Sequence, residues 1–386
     1  LKLLSGPISV GQMGVRVGYG AFAPHSILTD LLKRHHEGNG QATLAASFHL
    51  ALAVCSLADA PLTAGRLSTC SKALRSAIGK ALHELQRERL YVIGGLDPSF
   101  APMASVDRYD PLENSWEALP PINTARHGAC AAAFAGYLYV IGGEVSGVAL
   151  RDVQRFCPRG SQSWEQMPPT SIGRIRAAAT ECQGQLYVLG GNDGFSSLRS
   201  AERFDPLTCR WHTIAAMQKP RYACSVSARD DVIIVFSGEL TETGAAASLE
   251  IYNVQADTWT LLPSLRSPLC GSVPVLKESG DEVFSFGGLG LSGQALTFAE
   301  RANLKCEGSP YPGMSVTPWS PLPPMLSARQ QMSACTFQDG AVIIGGKGIT
   351  SEAQSKVEMY SESSGWKELP PLPTARLRSA VVAGHI

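Results

Sequence analysis

The sequence predicts an all-β protein of six repeated units, preceded by a small helical segment. Two recurring observations carry this prediction. Apolar runs that end in paired glycines return along the chain, and the first three read Leu-Tyr-Val-Ile/Leu-Gly-Gly at 90–95, 138–143 and 186–191. A tryptophan follows each run, at positions 116, 164, 211, 259, 319 and 366, so that successive spacings are 48, 47, 48, 60 and 47 residues. Self-similarity at a nearly fixed period indicates a repeat architecture.

The apolar runs are predicted to be strands that are buried on both faces, because they are continuous rather than alternating. Weaker versions lie at 235–238, 284–288 and 342–346. The closing glycines allow a positive φ where the chain turns away from the strand. Proline-rich turns such as Leu119-Pro-Pro121 and Leu369-Pro-Pro371 separate successive strands.

Two further landmarks keep the same register. The first is typically acidic–Arg–aromatic, and its aromatic residue lies 13 or 14 residues after the last glycine. It occupies 107–110, 154–157, 202–205, 250–253 and 358–361, and the version at 300–303 lacks the aromatic residue. The second is an arginine ten residues after the tryptophan in five of the six units: Arg126, Arg174, Arg221, Arg329 and Arg376. In the fourth unit the nearest equivalent is Arg266, seven residues on.

With four landmarks in register across six units, the stretch from Arg89 to Ile386 resembles the kelch family. The kelch repeat of about 50 residues forms one four-stranded blade of a β-propeller. The resemblance therefore implies a six-bladed β-propeller over residues 89–386. The first unit lacks an innermost strand ahead of the run 90–95. The tail 376–386 is predicted to be a strand with no glycine pair after it. We expect this tail to complete the first blade and close the ring.

The fifth unit and the N-terminal region depart from the repeat. An insertion near residues 304–317 is expected to form a surface loop, or alternatively a loop that contacts a partner. Residues 1–43 are weakly patterned and are expected to be flexible, whereas residues 44–88 show apolar residues at helical spacing. The run 52–78 resembles the second half of an F-box, the helical domain that docks on the Skp adaptor of cullin–RING ubiquitin ligases. The opening Leu-Pro-x-Glu and the late tryptophan of many F-boxes are absent, and a helical cap on the propeller is the alternative.

Composition argues against several functional classes. The 33 basic residues balance the 33 acidic ones, which predicts no global field for binding nucleic acid or an anionic membrane. The ten cysteines contain no Cys-x-x-Cys pair and fall largely in strand-like runs, which favours buried thiols in a cytoplasmic protein. The most apolar stretch, 44–58, is too short to span a bilayer.

The sequence predicts neither catalysis nor a bound metal or cofactor. It contains no nucleophile elbow, P-loop or dinucleotide fingerprint. The eight histidines are scattered, and the adjacent His35 and His36 would point about 100° apart on a helix. The acidic residues of the repeats recur in most units, so we interpret them as structural.

Protein recognition is the function that remains. Similarity to kelch substrate receptors implies a binding face made by the repeated arginines, by the residue after each glycine pair, and by the small residue before the acidic landmark. These positions are Arg126, Arg174, Arg221, Arg329 and Arg376, then Glu144, Asn192 and Glu239, then Ser105, Ser200 and Ser248. A ring of guanidinium groups suits an acidic peptide or loop, because arginine binds carboxylates bidentately. The alternative is that each arginine pairs with a neighbouring acid or carbonyl. Two functions fit: a ubiquitin-ligase substrate adaptor, or an actin-associated or scaffolding protein.

Overall fold

The structure is a computed structural model that describes residues 87–386 with gaps at 161–162, 237, 241–243, 246–247, 263–271, 278–281, 291–292, 307–313, 317 and 350–351. The chain divides into two compact units, Leu1–Glu84 and Leu85–Ile386. The predicted flexible region, and the predicted helical segment with its F-box-like run, lie outside the described residues except for Arg87 and Glu88.

The described part of the second unit is a six-bladed β-propeller, and each blade is an antiparallel sheet whose strands run from the centre of the ring outward. Strands are numbered in chain order. The inner strands are β4 (Cys130–Phe134), β10 (Ala178–Cys182), β14 (Ser225–Arg229), β20 (Val273–Leu276), β25 (Ser333–Phe337) and β29 (Ala380–Gly384). The second strands are β1 (Arg89–Ile93), β5 (Tyr137–Ile141), β11 (Gln185–Leu189), β15 (Val232–Phe236), β21 (Glu282–Phe286) and β26 (Gly340–Ile344).

The outer half of each blade follows the same order. The third strands are β2 (Val106–Asp110), β8 (Val153–Phe156), β12 (Ala201–Asp205), β18 (Leu249–Asn253), β22 (Ala299–Cys306) and β27 (Val357–Ser361). The outer strands are β3 (Ser115–Leu119), β9 (Glu165–Met167), β13 (Arg210–Ile214), β19 (Thr258–Leu261), β24 (Ser320–Pro321) and β28 (Gly365–Leu369). Two short hairpins stand apart from the blades: β6 (Glu144–Val145) with β7 (Val148–Ala149), and β16 (Glu239–Leu240) with β17 (Gly244–Ala245).

The insertion in the fifth blade is partly strand. The third strand β22 continues past its partner in the blade, and its last three residues pair with β23 (Met314–Val316). Leu304, where the expected loop was to begin, is buried in the core between the fourth and fifth blades. The inserted residues therefore lengthen a strand into a ribbon before the chain returns to β24.

The C-terminal strand completes the first blade. β29 pairs antiparallel with β1, with Leu90 opposite Ala383 and Val92 opposite Val381. The Tyr91 hydroxyl donates a hydrogen bond to the carbonyl oxygen of Ile386 at 3.0 Å. The inner strands also contact one another in ring order, β29 to β4, β10, β14, β20, β25 and back to β29. The ring is thus closed by pairing the two ends of the propeller.

Six apolar clusters lie between the described blades, one at each interface. The second strands supply both neighbours: Leu90 and Val92 pack toward the sixth blade, whereas Tyr91 and Ile93 pack toward the second. This explains the continuous apolar runs, because every residue of such a strand faces one core or the other. No helix in the described residues is long and apolar enough to cross a membrane.

The repeated tryptophans attach the outer edge of a blade to the blade before it. The Trp116 indole nitrogen donates a hydrogen bond to the carbonyl oxygen of Pro370 at 2.7 Å, and Trp164 makes the same bond to Pro120 at 2.8 Å. In the third and fourth blades the acceptors are Pro168 and Ala215. Tryptophan suits such a boundary, because its ring packs against the core while its indole N–H donates a hydrogen bond.

The paired glycines are required by close backbone contact. Gly142 and Gly143 have φ angles of 64° and 97°, and a Cβ on Gly142 would lie 2.3 Å from the carbonyl oxygen of Arg174 in the next blade. Only glycine fits this approach without strain. The same arrangement recurs at Gly190, where the clash would be with the carbonyl oxygen of Arg221.

Candidate binding face

One end of the ring carries the connections that follow the glycine pairs, and we call it the loop face. Its described connections join the second strand to the third at 94–105, 142–152, 190–200, 287–298 and 345–356. The five described segments that lead from an outer strand into the next inner strand reach the same end, and each contains one of the repeated arginines. All predicted site residues therefore belong to this end of the molecule.

The repeated arginines do not line the loop face, which corrects the expectation of an exposed ring of cations. Arg126, Arg174, Arg221, Arg329 and Arg376 are each at most 1% exposed. Each guanidinium forms an ion pair within its own blade, with Asp152, Glu202, Glu250, Glu358 and Asp107 respectively. The structure therefore agrees with the alternative, in which each arginine pairs with a neighbouring acid.

The glutamate carboxylates of these pairs make two contacts at once. Glu202 Oε1 accepts from Arg174 Nη2 at 2.8 Å, while its Oε2 accepts from the backbone N–H of Ser171 at 2.8 Å. Glu250 likewise accepts from Arg221 and from the backbone N–H of Gln218, each at 2.6 Å. Each of these glutamates thereby neutralises a buried cation and attaches the incoming connection to the blade. This bears out the structural interpretation of the repeated acids.

The second blade divides the two contacts between two residues. Gln154 lies at the position of the glutamates, and its Oε1 accepts from the backbone N–H of Asn123 at 3.1 Å. Asp152, two residues earlier, supplies the charge for Arg126 and accepts from Gln154 Nε2 at 2.8 Å. Arg126 therefore has a carboxylate beside it, although the repeat position itself holds a glutamine.

The predicted serines lie beside the buried arginines. The hydroxyls of Ser200 and Ser248 accept from the Nη2 atoms of Arg174 and Arg221, each at 3.0 Å. Ser248 is buried, whereas Ser200 and Ser105 are half-buried. The Ser105 hydroxyl has no hydrogen-bond partner among the described residues. Two of the three serines thus belong to the ion-pair networks.

Glu144 and Asn192 lie at the rim of the central channel. Backbone bridges join Glu144 to His127 and Asn192 to Ile175, so the residue after the glycine pair meets the residue after the buried arginine. Corresponding bridges are Leu96 to Leu377 and Lys347 to Gln330. The Glu144 and Asn192 side chains are half-buried. Glu239, the third residue predicted at this position, begins strand β16.

One residue further on, the described residues of five blades form part of a ring of backbone hydrogen bonds around the channel. We call residues 128, 176, 223, 331 and 378 the channel mouth; all five have φ between 52° and 62°. The N–H of Gly128 donates to the carbonyl of Arg378 at 2.9 Å, and the N–H of Arg176 donates to Gly128 at 2.6 Å. Ala223 continues the ring by donating to Arg176. The positive φ angles are tolerated because these residues form backbone hydrogen bonds that join neighbouring blades.

Two cations that the sequence analysis missed lie at this mouth. Arg176 and Arg378 both line the channel, and they flank Gly128 in the ring. Burial of His127 lowers its pKa; the Glu144 carboxylate, 3.7 Å from Nε2, opposes this, and the positive charges of Arg378 and Arg176 add to it. Both arginines are therefore electrostatically close to the same imidazole. The available signal was their position, two residues after a repeated arginine.

The channel itself is lined by small side chains. It has a volume of about 540 Å³ and is bordered by the inner strands, which contribute mainly alanine, serine, valine and cysteine. Burial raises the pKa of the Cys130 thiol to about 12 and that of Cys224 to about 11. These thiols are protonated and unreactive at neutral pH. Within the described residues no group of three or more histidine, cysteine or acidic side chains is placed to hold a metal ion.

Large apolar side chains project from the loop face on four consecutive blades. We call Phe100, Val148, Phe195 and Ile349 the apolar tips; they belong to the first, second, third and sixth blades and are 53%, 61%, 94% and 76% exposed. Sequence reasoning missed them because they follow the glycine pair at three different offsets, five residues for Phe100 and Val148, four for Phe195 and three for Ile349. The Lys347 ammonium lies 5.7 Å from the centroid of the Phe100 ring, next to the channel rim.

Comparison with known proteins identifies the repeat. A family model described as the kelch motif matches residues 86–123, 125–171 and 173–218, the first three units. Over 107 residues the chain is 36% identical to Kelch-like protein 35 of Mus musculus, covering 27% of this chain and 18% of that protein. It is 33% identical over 176 residues to an F-box/kelch-repeat protein of Arabidopsis thaliana, covering 44% of this chain and 34% of the relative. This chain contains a six-bladed β-propeller whose first three units match the kelch motif.

Further matches agree with this identification. Kelch-like protein 36 of Rattus norvegicus is 26% identical over 183 residues, covering 46% of this chain and 28% of that protein. The aligned part of this chain therefore covers about a third or less of the length of these curated relatives. The solved structure of YjhT superposes with a TM-score of 0.57 at 16% identity, covering 72% of this chain and 96% of that one. That likeness shows the fold.

Proposed function

We propose that this kelch propeller binds a protein partner through its loop face and acts as a substrate-recognition adaptor of a cullin–RING ubiquitin ligase. The observation that carries the first half is the set of apolar tips, four large exposed side chains on four consecutive blades at one end of the ring. Single exposed apolar residues are ordinary, but a group of them on one face favours an interaction site.

The arrangement of the loop face supports recognition. The tips lie on connections held by a rigid scaffold, because backbone bridges fasten the start of each connection beside the channel. Binding residues are commonly placed on loops that a rigid scaffold positions. A partner that covers the tips would remove apolar surface from water without requiring the blades to move.

The ligase half of the proposal depends on the relatives and on the N-terminal unit. One relative is named as an F-box/kelch-repeat protein, and others are named as Kelch-like proteins. Residues 52–78 of this chain resemble the second half of an F-box. An adaptor needs one surface for its substrate and another for the ligase, and the chain has two compact units to carry them.

Affinity purification with mass spectrometry tests both halves. Three variants are compared with the wild-type chain: Phe100→Ser with Phe195→Ser on the loop face, Leu112→Ser with Leu207→Ser, and a deletion of residues 44–84. Leu112 and Leu207 are 58% and 80% exposed in the turns at the opposite end of the first and third blades, so they are matched controls. The deletion keeps Arg87, which pairs with Asp110 of the propeller.

We expect the wild type and the control pair to recover the same substrate together with Skp and cullin subunits. The loop-face pair should lose the substrate but keep the ligase subunits, and the deletion should do the reverse. Recovery of actin or other cytoskeletal proteins without ligase subunits would replace the adaptor by a scaffolding protein. Equal recovery of substrate by both serine pairs would refute recognition by the loop face.

A further inference from the structure

The two aromatic tips, Phe100 and Phe195, are both preceded by an aspartate at the same repeat position. Asp97 and Asp193 are each the second residue after the glycine pair of their blade. In the second and sixth blades, whose tips are aliphatic, this position holds a valine and a glycine. Those blades form without an acid there, so the blade itself does not require the aspartate. The acid accompanies the aromatic tip instead.

Asp97 closes a turn around Phe100. Its Oδ1 atom accepts hydrogen bonds from the backbone N–H of Ser99 at 2.8 Å, from the Ser99 hydroxyl at 2.6 Å and from the backbone N–H of Ala101 at 2.9 Å. The main chain adds two bonds: the Phe100 N–H donates to the Asp97 carbonyl oxygen, and the Asp97 N–H donates to the Ala101 carbonyl oxygen. One carboxylate oxygen therefore binds the residues on both sides of Phe100.

Asp193 holds the turn that carries Phe195. Its Oδ1 atom accepts from the backbone N–H groups of Phe195 at 2.9 Å and of Ser196 at 2.8 Å. The Asn192 side chain adds a bond by accepting from the N–H of Gly194 at 2.7 Å. Aspartate and asparagine commonly stabilise turns by such bonds to the backbone. Because the Phe195 side chain is almost fully exposed, its direction is set by this turn and not by packing against the described residues.

The backbone of Phe100 has a conformation that aromatic residues rarely adopt. Its φ angle is 63°, in the left-handed region that favours glycine. Such a conformation persists where the surrounding structure holds it, and residues of this kind cluster at functional sites. More than half of the Phe100 side chain is exposed, so core packing does not explain a phenylalanine at this position. The Asp97 turn keeps an aromatic ring at a point where glycine would fit with less strain.

Both aspartates are ionised at neutral pH. The hydrogen bonds from the Ser99 hydroxyl and the Ala101 N–H lower the pKa of Asp97, and the backbone N–H groups of its turn lower the pKa of Asp193. An ionised carboxylate only accepts hydrogen bonds, and such bonds are stronger than those of a neutral acceptor. The two turns are therefore fully bonded under the conditions in which a partner would bind.

We infer that Asp97 and Asp193 are positioning residues, which hold the two aromatic tips in the orientation that the partner binds. This inference rests on the proposed recognition by the loop face and assigns the ordering of Phe100 and Phe195 to these carboxylates. A side chain that is ordered before binding loses less conformational entropy when a partner covers it. Without the carboxylates each tip has the binding orientation for only part of the time, and the apparent affinity falls by that fraction.

Three pairs of substitutions in the full chain test the inference. Asp97→Ala with Asp193→Ala removes both acceptors, whereas Asp97→Asn with Asp193→Asn keeps an accepting oxygen at each position. Asp205→Ala with Asp339→Ala is the control at the opposite end of the ring. Asp205 Oδ1 accepts from the N–H of the exposed Leu207 at 2.9 Å in a similar turn, and Asp339 is a second exposed acid at that end.

The free chain shows whether the turns depend on the carboxylates. Millisecond amide hydrogen exchange, followed by mass spectrometry, should be about tenfold faster at 99–101 and 195–196 in the alanine pair than in the wild type. The asparagine pair should exchange nearly as slowly as the wild type. The thermal midpoints of all three pairs should stay within about two degrees of the wild type, because these turns lie outside the blade cores.

The binding probe is the protein that affinity purification loses with Phe100→Ser and Phe195→Ser but keeps with Leu112→Ser and Leu207→Ser. After purification it is titrated against each variant by biolayer interferometry. We expect binding to be about fivefold weaker or more for the alanine pair, largely recovered in the asparagine pair, and within about twofold of the wild type for the control pair. Phe100→Gly should bind weakly, although its thermal midpoint should equal or exceed that of the wild type, because glycine relieves the positive φ.

The outcomes separate this inference from the proposed function. An alanine pair that binds normally, or whose turns exchange no faster, would overturn the positioning role and leave recognition by the loop face intact. An asparagine pair as weak as the alanine pair would show that the charge acts directly on the partner, which also refutes positioning. A lower thermal midpoint for Phe100→Gly would make that ring structural and contradict the inference. If no protein is lost with the two phenylalanines, both the inference and loop-face recognition are overturned.

Discussion

Every described blade except the fifth contains a buried arginine. A buried guanidinium needs a carboxylate nearby, and each of these five arginines has one. Arg221 shows the arrangement most fully: Glu250 is fully buried beside it, and Ser248 contributes both its hydroxyl and its carbonyl oxygen. Removing one member of such a buried pair leaves an uncompensated charge, which costs about 3–5 kcal/mol. Because Glu250 also binds the backbone of the connection at Gln218, loss of the pair would make this part of the loop face less rigid.

The divided network of the second blade gives a prediction at this scale. Asp152→Asn should lower the thermal midpoint substantially, because Arg126 then lacks a carboxylate. Adding Gln154→Glu should restore most of the loss, since the third to sixth blades place a glutamate at that position and Gln154 is already within bonding distance of residue 152. Thermal unfolding followed by circular dichroism measures both variants.

Gln154→Glu alone is the control for this cycle, and it should be neutral or mildly destabilising because two acids would then adjoin one arginine. A double variant no more stable than Asp152→Asn would show that the carboxylate position, and not merely its presence, determines the stability of the blade.

At the scale of the strand, the sequence predicts structure best where burial permits only one arrangement of the strand. The second strands were predictable because residues such as Leu90 and Tyr91 face different cores, so that polar residues are excluded from both sides. Completion of the first blade by the tail was predictable for a similar reason, since a blade that lacks its inner strand leaves an edge unpaired. The extension of β22 into the insertion was not, because residues 304–317 have no counterpart in other units.

The direction of the repeated arginines was the main error in the sequence reasoning. A side chain at the start of an inner strand can turn toward the channel end or back into its blade, and repetition alone does not distinguish the two. The signal was the acid that recurs in the same units: where Gln154 replaces it, Asp152 stands two residues away. Arg176 and Arg378 carried only the signal of their position, two residues after a repeated arginine, because residue type does not repeat there and the ring position accepts Gly, Ala and Gln as well.

Closure gives the prediction at the scale of the element. Deleting 380–386 removes β29 but keeps Arg376 and its partner Asp107. The deletion unpairs β1 along its inner edge and removes Ala380 and Ile386 from the core between the first two blades. A loss of several kcal/mol should lower the thermal midpoint by about 10 °C or more, or leave the protein insoluble.

Deleting only 385–386 is the matched control, because it removes the Tyr91 hydrogen bond and one apolar side chain while β29 stays intact. We expect it to fall between the wild type and the longer deletion. If the longer deletion melts within two degrees of the wild type, the C-terminal strand does not hold the ring together.

At the scale of the whole molecule, the loop face exists only because the ring closes. Ile349 and Phe100 are nearly 250 residues apart in sequence, yet they lie on adjacent blades, and Lys347 approaches the Phe100 ring across that boundary. The buried ion pairs hold the connections that lead into the inner strands, and the backbone hydrogen bonds of the ring fix the channel mouth. The proposed recognition at this end would therefore depend on residues that no single repeat contains.

Site-specific photo-crosslinking tests recognition at this end most directly. A benzophenone amino acid replaces Phe195 at a loop-face tip or Leu207 at the opposite end of the same blade; the two side chains are 94% and 80% exposed. After irradiation in cells, the chain is purified and its covalent adducts are identified by mass spectrometry. We predict that the partner recovered with the wild-type chain is crosslinked through position 195 and not through position 207. Crosslinking of that partner through position 207 alone would place recognition on the other end of the propeller and contradict the role of the loop face.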